Sequence, residues 1–380
     1  MLDLHVFLAN LPYIAFGVLS LFLLIQLYYI LFVYSKLSSY QIKPVQEGTE
    51  FPPLSVIICA HNEQDNIPEF LPSILTQDYP HFEVIVVNDF STDNTPWILH
   101  ELEATYAHLK VVDIKEHIRL KHGKKFAVSM GIKASKHQTL VFTDADCSPQ
   151  SDQWLKEIAA AFRPETEIVL GYSPYFKKKS LLNLLIRFET SHTAMSYLAY
   201  ALKGDAYMGV GRNMAYKKDL FFRNKGFAAH MHIKSGDDDL FVNQNATPTN
   251  VNIVLATESI VYSAPKTTWR SYYKQKARHS GASTIYKKRH QRMLGTQLVS
   301  AFLFYIAVIA TAIAFPMYWY VPLSAYLLRL IAQWIVFTNI YKKLEVRELI
   351  WWLPLVDFIY YFYICINGIF SRKKKKISWK

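Results

Sequence analysis

The sequence predicts an α/β domain with a largely parallel sheet, carried between membrane helices at the two ends of the chain. Between residues 37 and 290, short β-branched apolar runs alternate with helical patterns, as expected when parallel strands are joined through helices. From Val6 to Ser35 no residue is charged, and these 30 residues exceed the ~20 that a helix needs to cross a bilayer. Met293 to Leu328 is again free of charge.

The first segment lacks a basic leader and a small-residue cleavage site, so it reads as an anchor and not as a removed signal. Tyr28, Tyr29 and Tyr34 suit the interface, with Lys36 and Lys43 just beyond. Positive charge on that side puts the N-terminus outside and the middle of the chain in the cytoplasm. Near the C-terminus, helices are expected at about 296–315 and 321–341. Pro316 and Pro322 bracket an aromatic hairpin tip, and Arg329 faces another helix or snorkels. A third apolar run, Ile350 to Phe370, is interrupted by Pro354 and Asp357. If it crosses, the Lys373–Lys376 tail ends outside, against the charge rule; if it is re-entrant or interfacial, the tail stays inside. The domains are therefore expected at 1–36, 37–290 and 291–380.

Composition agrees. Charged residues make up 19% of the 380, below the soluble norm of roughly 25%. The net charge is +12, and most of the excess falls after residue 290. That placement favours a membrane surface over nucleic acid. Cys59, Cys147 and Cys365 are too few and too scattered for a disulfide framework or a zinc site.

Within the middle region, strands are expected at Leu54–Ala60, Glu83–Asn88, Lys110–Ile114, Thr139–Thr143 and Glu167–Gly171. Helices are expected at Asn66–Gln77, Thr95–Tyr106, Phe126–Ala134 and Asp152–Phe162. Ligands of such sheets bind beyond the carboxyl ends of the strands. The first strand ends in Ala60-His61-Asn62-Glu63, the second in Asn88-Asp89 and the fourth in Asp144-Ala145-Asp146. A strand-end pair of carboxylates suits a hard cation such as Mg²⁺ or Mn²⁺, which keeps open positions for phosphate oxygens. Asp237-Asp238-Asp239 is either a helix N-terminus that favours acids or a cluster in which repulsion raises one pKa for general-base work. Gly209-Val-Gly-Arg-Asn-Met lacks the Lys-Ser/Thr of a phosphate-binding P-loop. Lys124 and Lys125 read as the solvated start of a helix. Leu181–Leu202 reads as an amphipathic helix with a core-facing stripe at 181, 184, 185, 188, 195, 198 and 202, and with Asn183, Arg187 and Thr190 opposite. Lying in the bilayer interface beside a lipid-borne acceptor is the alternative for this helix.

Taken together, Ser55–Glu63, Val84–Asp93, His122–Lys125, Val141–Asp146, Gly209–Tyr216, Ser235–Leu240 and Gln275–His279 resemble the membrane-anchored family 2 inverting glycosyltransferases of the GT-A fold. The resemblance implies a nucleotide-diphosphate sugar as donor, with Ala60, His61 and Glu63 lining its site and Asp89 holding the base. Asp144 and Asp146 match the metal and ribose pair, Asp146 as the direct Mg²⁺ or Mn²⁺ ligand. Asp237 or Asp238 matches the catalytic base, and Gly209–Met214 lines the acceptor side. Gln275 and Arg278 match the Gln-x-x-Arg-Trp motif, in which Arg278 is a bidentate phosphate donor in type. Three departures stand out: Asn88 replaces a common Asp, Gly236 replaces the acid before the base, and His279 replaces the Trp. The last argues against a processive polysaccharide synthase. The implied acceptor is lipid-linked or a cell-envelope glycan, and the implied location is the cell inner membrane with the catalytic domain in the cytoplasm. A catalytically silent scaffold of the same fold is the competing reading.

Overall fold

A computed structural model of the chain describes residues 2–46, 48–115, 123–231, 233, 235–279 and 281–371. Of residues 2–9, 278–279 and 366–371 the backbone alone is described, and His122 and the Lys373–Lys376 tail lie outside the described residues. The chain forms two units. One spans Gln41–Lys287; the other joins residues 2–40 to residues 288–371.

The first unit is built on a seven-stranded sheet in the order β3-β2-β1-β4-β7-β6-β8. Its strands are β1 (Leu54–Ala60), β2 (Phe82–Asp89), β3 (Leu109–Ile114), β4 (Thr139–Asp144), β6 (Ile168–Leu170), β7 (Met214–Lys217) and β8 (Val251–Ile253). A small second sheet pairs β5 (Cys147–Pro149) with β9 (Val261–Ser263), antiparallel. β1 runs parallel to both β2 and β4, and β2 parallel to β3. β7 is antiparallel to β4 and to β6. β6 and β8 also pair parallel. The long β-branched runs are those of β1, β2 and β4, which are buried along nearly their whole length, because a strand covered by helices on both faces carries apolar residues without alternation. Val84 and Val86 pack on one face with Leu71, Leu99 and Trp154, while Ile85 and Val87 pack on the other with Ala127. Each such burial contributes about 2 kcal/mol.

Helices occupy Asn66–Leu75, Thr95–Thr105, Lys124–Ala134 and Trp154–Ala160, within a turn of their expected bounds. With β2 on one side of β1 and β4 on the other, the chain leaves β1 and β4 in opposite directions. A crevice therefore opens at their carboxyl ends.

The helix Leu181–Leu202 has the expected bounds but not the expected faces. Ser180 caps it by accepting the Asn183 N–H. Asn183 and Arg187, expected on the solvent side, are buried, whereas Leu181 is 65% exposed. Asn183 turns inward because its amide joins the preceding loop, accepting from Lys178 N–H at 2.8 Å and donating to the Phe176 carbonyl at 3.0 Å.

In the second unit, the N-terminal helix Leu2–Tyr28 continues through a π-helical turn, Tyr29–Tyr34, to Ser38. It packs against the helices Lys288–Ala314 and Tyr320–Lys343, and both of these pack against Leu349–Ser371. Asn10–Ser38, Lys288–Ala314 and Tyr320–Lys343 are long and apolar enough to cross a membrane. The expected interruption at Pro354 and Asp357 does not occur, since the helix runs through both. Asp357 is tolerated there because Arg329 Nη1 donates to its Oδ2 at 2.9 Å, the Tyr305 hydroxyl donates to it at 2.6 Å, and Gln333 donates to Oδ1 at 3.2 Å. Gln26 accepts from Arg329 Nη2 at 3.2 Å and itself donates to Ser300. One point thus ties all four helices together.

Candidate active site

Strand ends and loops of the sheet unit converge on a cleft of about 450 Å³. From β1 come Cys59, His61 and Glu63; from β4, Asp144 and Asp146; from the loop ahead of β7, Val210 and Arg212; and from the turn into the helix Asp239–Asn245, Asp237, Asp238 and Asp239. Gln275 and Lys276 of the helix Trp269–His279 close one side, and Glu189, Thr193 and Tyr197 of the helix Leu181–Leu202 close another.

Backbone geometry explains several of these placements. Asn62 sits at φ 57°, a left-handed conformation that Asn tolerates. From there its Oδ1 accepts the Thr92 N–H at 2.8 Å and its own N–H donates to Ser91 at 2.9 Å. The ends of β1 and β2 are thereby stitched together. Gly236 has φ 91°, and a Cβ there would lie 2.5 Å from Leu240 Cδ1. Only glycine turns the chain sharply enough at this point, which accounts for the missing acid before Asp237. Gly211 comes close enough for its N–H to donate to Asp238 Oδ2 at 2.8 Å.

The carboxylates separate by role. Lys124 Nζ pairs with Asp144 at 2.7 Å and Asp237 at 3.3 Å, bridging β4 to the acidic turn. Burial alone would lower the Lys124 ammonium, but Asp144, Asp237 and Asp238 outweigh it and hold the group well above its ordinary value. Asp237 is pushed up by burial and by Asp238 and Asp144, against the pull of Lys124. Asp238 is the helix cap, with Oδ1 accepting the Asp239 N–H at 2.7 Å and Oδ2 taken by Gly211. Its oxygens are committed to backbone donors, whereas the oxygens of Asp237 face a cation and the cleft.

Asp146 is raised by burial and by Asp144, and opposed by Arg212 and Lys266. Its Oδ1 has only long contacts, with Cys147 Sγ at 3.5 Å and Ser263 Oγ at 3.4 Å. No group of three or more His, Cys, Asp or Glu ligands exists among the described residues. The donor set therefore fits a hard ion held by one or two carboxylates and completed by phosphate oxygens, not a cage made by the protein alone.

The part of the chain that carries Asn62, Asp144 and Asp237 is that of a known family. The model described as glycosyl transferase family 2 matches residues 55–222, and that of glycosyl transferase family group 2 matches residues 140–365, more than half of the chain. The chain belongs to glycosyl transferase family 2. Its fold is GT-A. It is similar to the mannosyltransferase PcManGT from Pyrobaculum calidifontis, solved in complex with GDP-Man and Mn²⁺, over 96% of this chain and 100% of that one, at a TM-score of 0.58 and 18% identity. Among curated proteins, it is 36% identical over 107 residues to the glycosyltransferase AglE of Haloferax volcanii (28% of this chain, 34% of the relative). It is also 32% identical over 93 residues to a poly-beta-1,6-N-acetyl-D-glucosamine synthase of Staphylococcus epidermidis (24% and 21%). The matched stretch thus spans about a third or less of the length of these relatives.

In this family 2 chain, seven of the ten residues expected at the site, His61, Glu63, Asp144, Asp146, Asp237, Asp238 and Gln275, line the one cleft. Two others stand back. The side chain of Ala60 belongs to the sheet core, because β1 alternates and Cys59 takes the cleft side, so Ala60 offers the site its backbone only. Asp89 is buried, and it meets the cleft through its carbonyl, 2.6 Å from His61 Nδ1. The tenth, Arg278, lies on the helix Trp269–His279, its side chain outside the described residues.

Sequence reasoning missed Lys124, taking it for a solvated lysine. The signal was its place in the His122–Lys125 motif. Lys125, for its part, is buried and donates to the carbonyls of His230 and Ile233 at 2.7 and 3.1 Å. Also missed was a trio on the cleft wall formed by the helices Leu181–Leu202 and Trp269–His279, in which Glu189 accepts from the Tyr272 hydroxyl at 2.6 Å and pairs with Lys276 at 2.7 Å. No local pattern announces a pair 87 residues apart in the sequence.

Proposed function

We propose that the chain is a membrane-bound, metal-dependent inverting glycosyltransferase. On this reading it moves one sugar from a nucleotide-diphosphate sugar to an acceptor hydroxyl, lipid-linked or on a cell-envelope glycan, from the cytoplasmic face of the inner membrane. The observation that carries it is the convergence of Asp146, Asp144 and Asp237 on one cleft, with Lys124 between two of them.

Asp146, with Asp144 beside it, would hold a divalent cation whose charge, once bound, offsets that of the leaving diphosphate. Lys124 neutralises part of the carboxylate cluster and keeps Asp237 aimed. Asp237 takes the proton of the acceptor hydroxyl as that oxygen forms its bond to the anomeric carbon. The bond from that carbon to phosphate oxygen breaks on the opposite face, so a single displacement inverts the configuration. Asp238, tied to backbone donors, positions the turn. Glu189 and Lys276 are placed to meet acceptor hydroxyls.

Single transfer is favoured over polymer synthesis by the interior of the membrane helices, which is filled by Gln26, Tyr305, Arg329, Gln333 and Asp357 bonded to one another. The test is nucleoside diphosphate release from a panel of nucleotide sugars, with and without Mn²⁺. Release that needs the ion, falls at least 10³-fold in Asp237→Asn and persists within about tenfold in Asp238→Asn supports the reading. Full activity of Asp237→Asn removes Asp237 as the base, and wild-type protein that releases no nucleoside diphosphate from any of the sugars returns the protein to the scaffold alternative.

A further inference from the structure

We propose that Arg212 grips the distal phosphate of the leaving diphosphate, and that Tyr175 and Gln275 hold it in aim. The proposal rests on the donor reading above and names a residue that the sequence comparison leaves on the acceptor side.

The guanidinium lies over the Tyr175 ring, 4.3 Å from its centroid, and Nη2 donates to the Ser173 carbonyl at 3.0 Å. These two contacts fix the plane of the group. Nη1 is buried and has no hydrogen-bond partner among the described residues. A buried guanidinium N–H left without an acceptor costs free energy, so a native site that keeps one is expected to meet an acceptor on a ligand.

The surroundings say which ligand. Arg212 lines the same cleft as Asp144 and Asp146 and lies within their electrostatic reach, yet pairs with neither among the described residues. Lys266, also on the cleft, acts on Asp146 and on Glu63. Two cations thus face a carboxylate pair across open space. An anion seated there satisfies the cations, and it is tolerated beside Asp144 and Asp146 only if it carries its own divalent ion. A metal-bound diphosphate meets both conditions. A planar fork meets two phosphate oxygens at once, which a point charge does not. Arg212 and Tyr197 of the helix Leu181–Leu202 line the same cleft, so the guanidinium faces the space between that helix and the strand-end carboxylates.

The aim is indirect. Gln275 does not reach Arg212; its Nε2 donates to the Tyr175 hydroxyl at 3.2 Å, and the Tyr175 backbone bridges to Ser263 of β9. Gln275 is thus a positioning residue that acts through the ring.

The experiment is titration calorimetry on the full-length protein in detergent with Mn²⁺, using the diphosphates of uridine, guanosine, cytidine, adenosine and thymidine and the matching monophosphates. For the diphosphate that binds wild type, Arg212→Gln is expected to lose about 30–100-fold in affinity while its monophosphate changes less than twofold. Tyr175→Phe, which keeps the ring and loses the Gln275 bond, is expected to lose about threefold, and Tyr175→Leu to approach Arg212→Gln. Equal losses on di- and monophosphate, or undiminished diphosphate affinity in Arg212→Gln, overturn the assignment and leave the donor reading standing. Wild-type protein that binds no diphosphate overturns both.

Discussion

Lys124→Met removes the cation from between two carboxylates and keeps an unbranched side chain one atom shorter. At 3.3 Å from Asp237, a unit charge at an effective dielectric of ~20 contributes about 5 kcal/mol. The two side chains keep 20% and 12% of their surface, so solvent screening leaves about half, 2–3 kcal/mol. That energy favours the ionised Asp237, the form that accepts a proton. Its loss leaves Asp237 protonated over a wider pH range and lowers kcat/KM on the acid limb of the profile by about 30–100-fold. That limb should move to higher pH, with activity partly recovered on the alkaline side. Lys124→Arg should keep most of the activity and the wild-type limb. The assay is nucleoside diphosphate release between pH ~5 and ~10, with circular dichroism confirming the fold. A fall in activity that is the same at every pH would refute the reasoning, because Lys124 would then serve substrate binding and not the ionisation of Asp237.

Asp239 is pushed up to about 7 by burial and by Asp238, against the Tyr286 hydroxyl and the Leu240 N–H. Its stabilising contribution is therefore complete below the unfolded value of ~3.9 and is lost as pH rises through about 7. Asp239→Asn should melt about 2–4 °C above wild type at pH ~8, and the difference should close towards pH ~5. Gly236→Ala forces a Cβ against Leu240 at φ 91° and should cost about 1–3 kcal/mol, seen as a lower denaturant midpoint together with lost activity. Arg329→Met or Asp357→Leu alone leaves a buried charge without its partner and should cost about 3–5 kcal/mol in detergent unfolding, whereas the double variant should recover most of it.

What the amino-acid sequence determined by itself is whatever is written in local periodicity or in a contiguous motif. Runs such as Leu54–Ala60 and Phe82–Asp89 are apolar and β-branched because both faces are covered, so they were legible as strands. The strand ends His61, Glu63, Asp144 and Asp146 follow from those strands, since the carboxyl edge of a parallel sheet collects its ligands. The three long apolar helices were legible by length and scarcity of charge.

β5, β7, β8 and β9 were not, because three or four residues are too few to display a period of two, and partners far along the chain decide whether they pair. Asn183 and Arg187 looked solvent-facing because polarity was taken for exposure, whereas buried polar groups are admissible once they are hydrogen-bonded. Tertiary structure alone decided that Lys124 stands between Asp144 and Asp237, that Asp238 is spent on backbone donors, that Asp357 meets Arg329, and that Arg212 lies on the Tyr175 ring. Each depends on the distance between groups brought together by the packing of the sheet or of the helices. Electrostatic energy follows that distance and the local burial, neither of which spacing along a chain records.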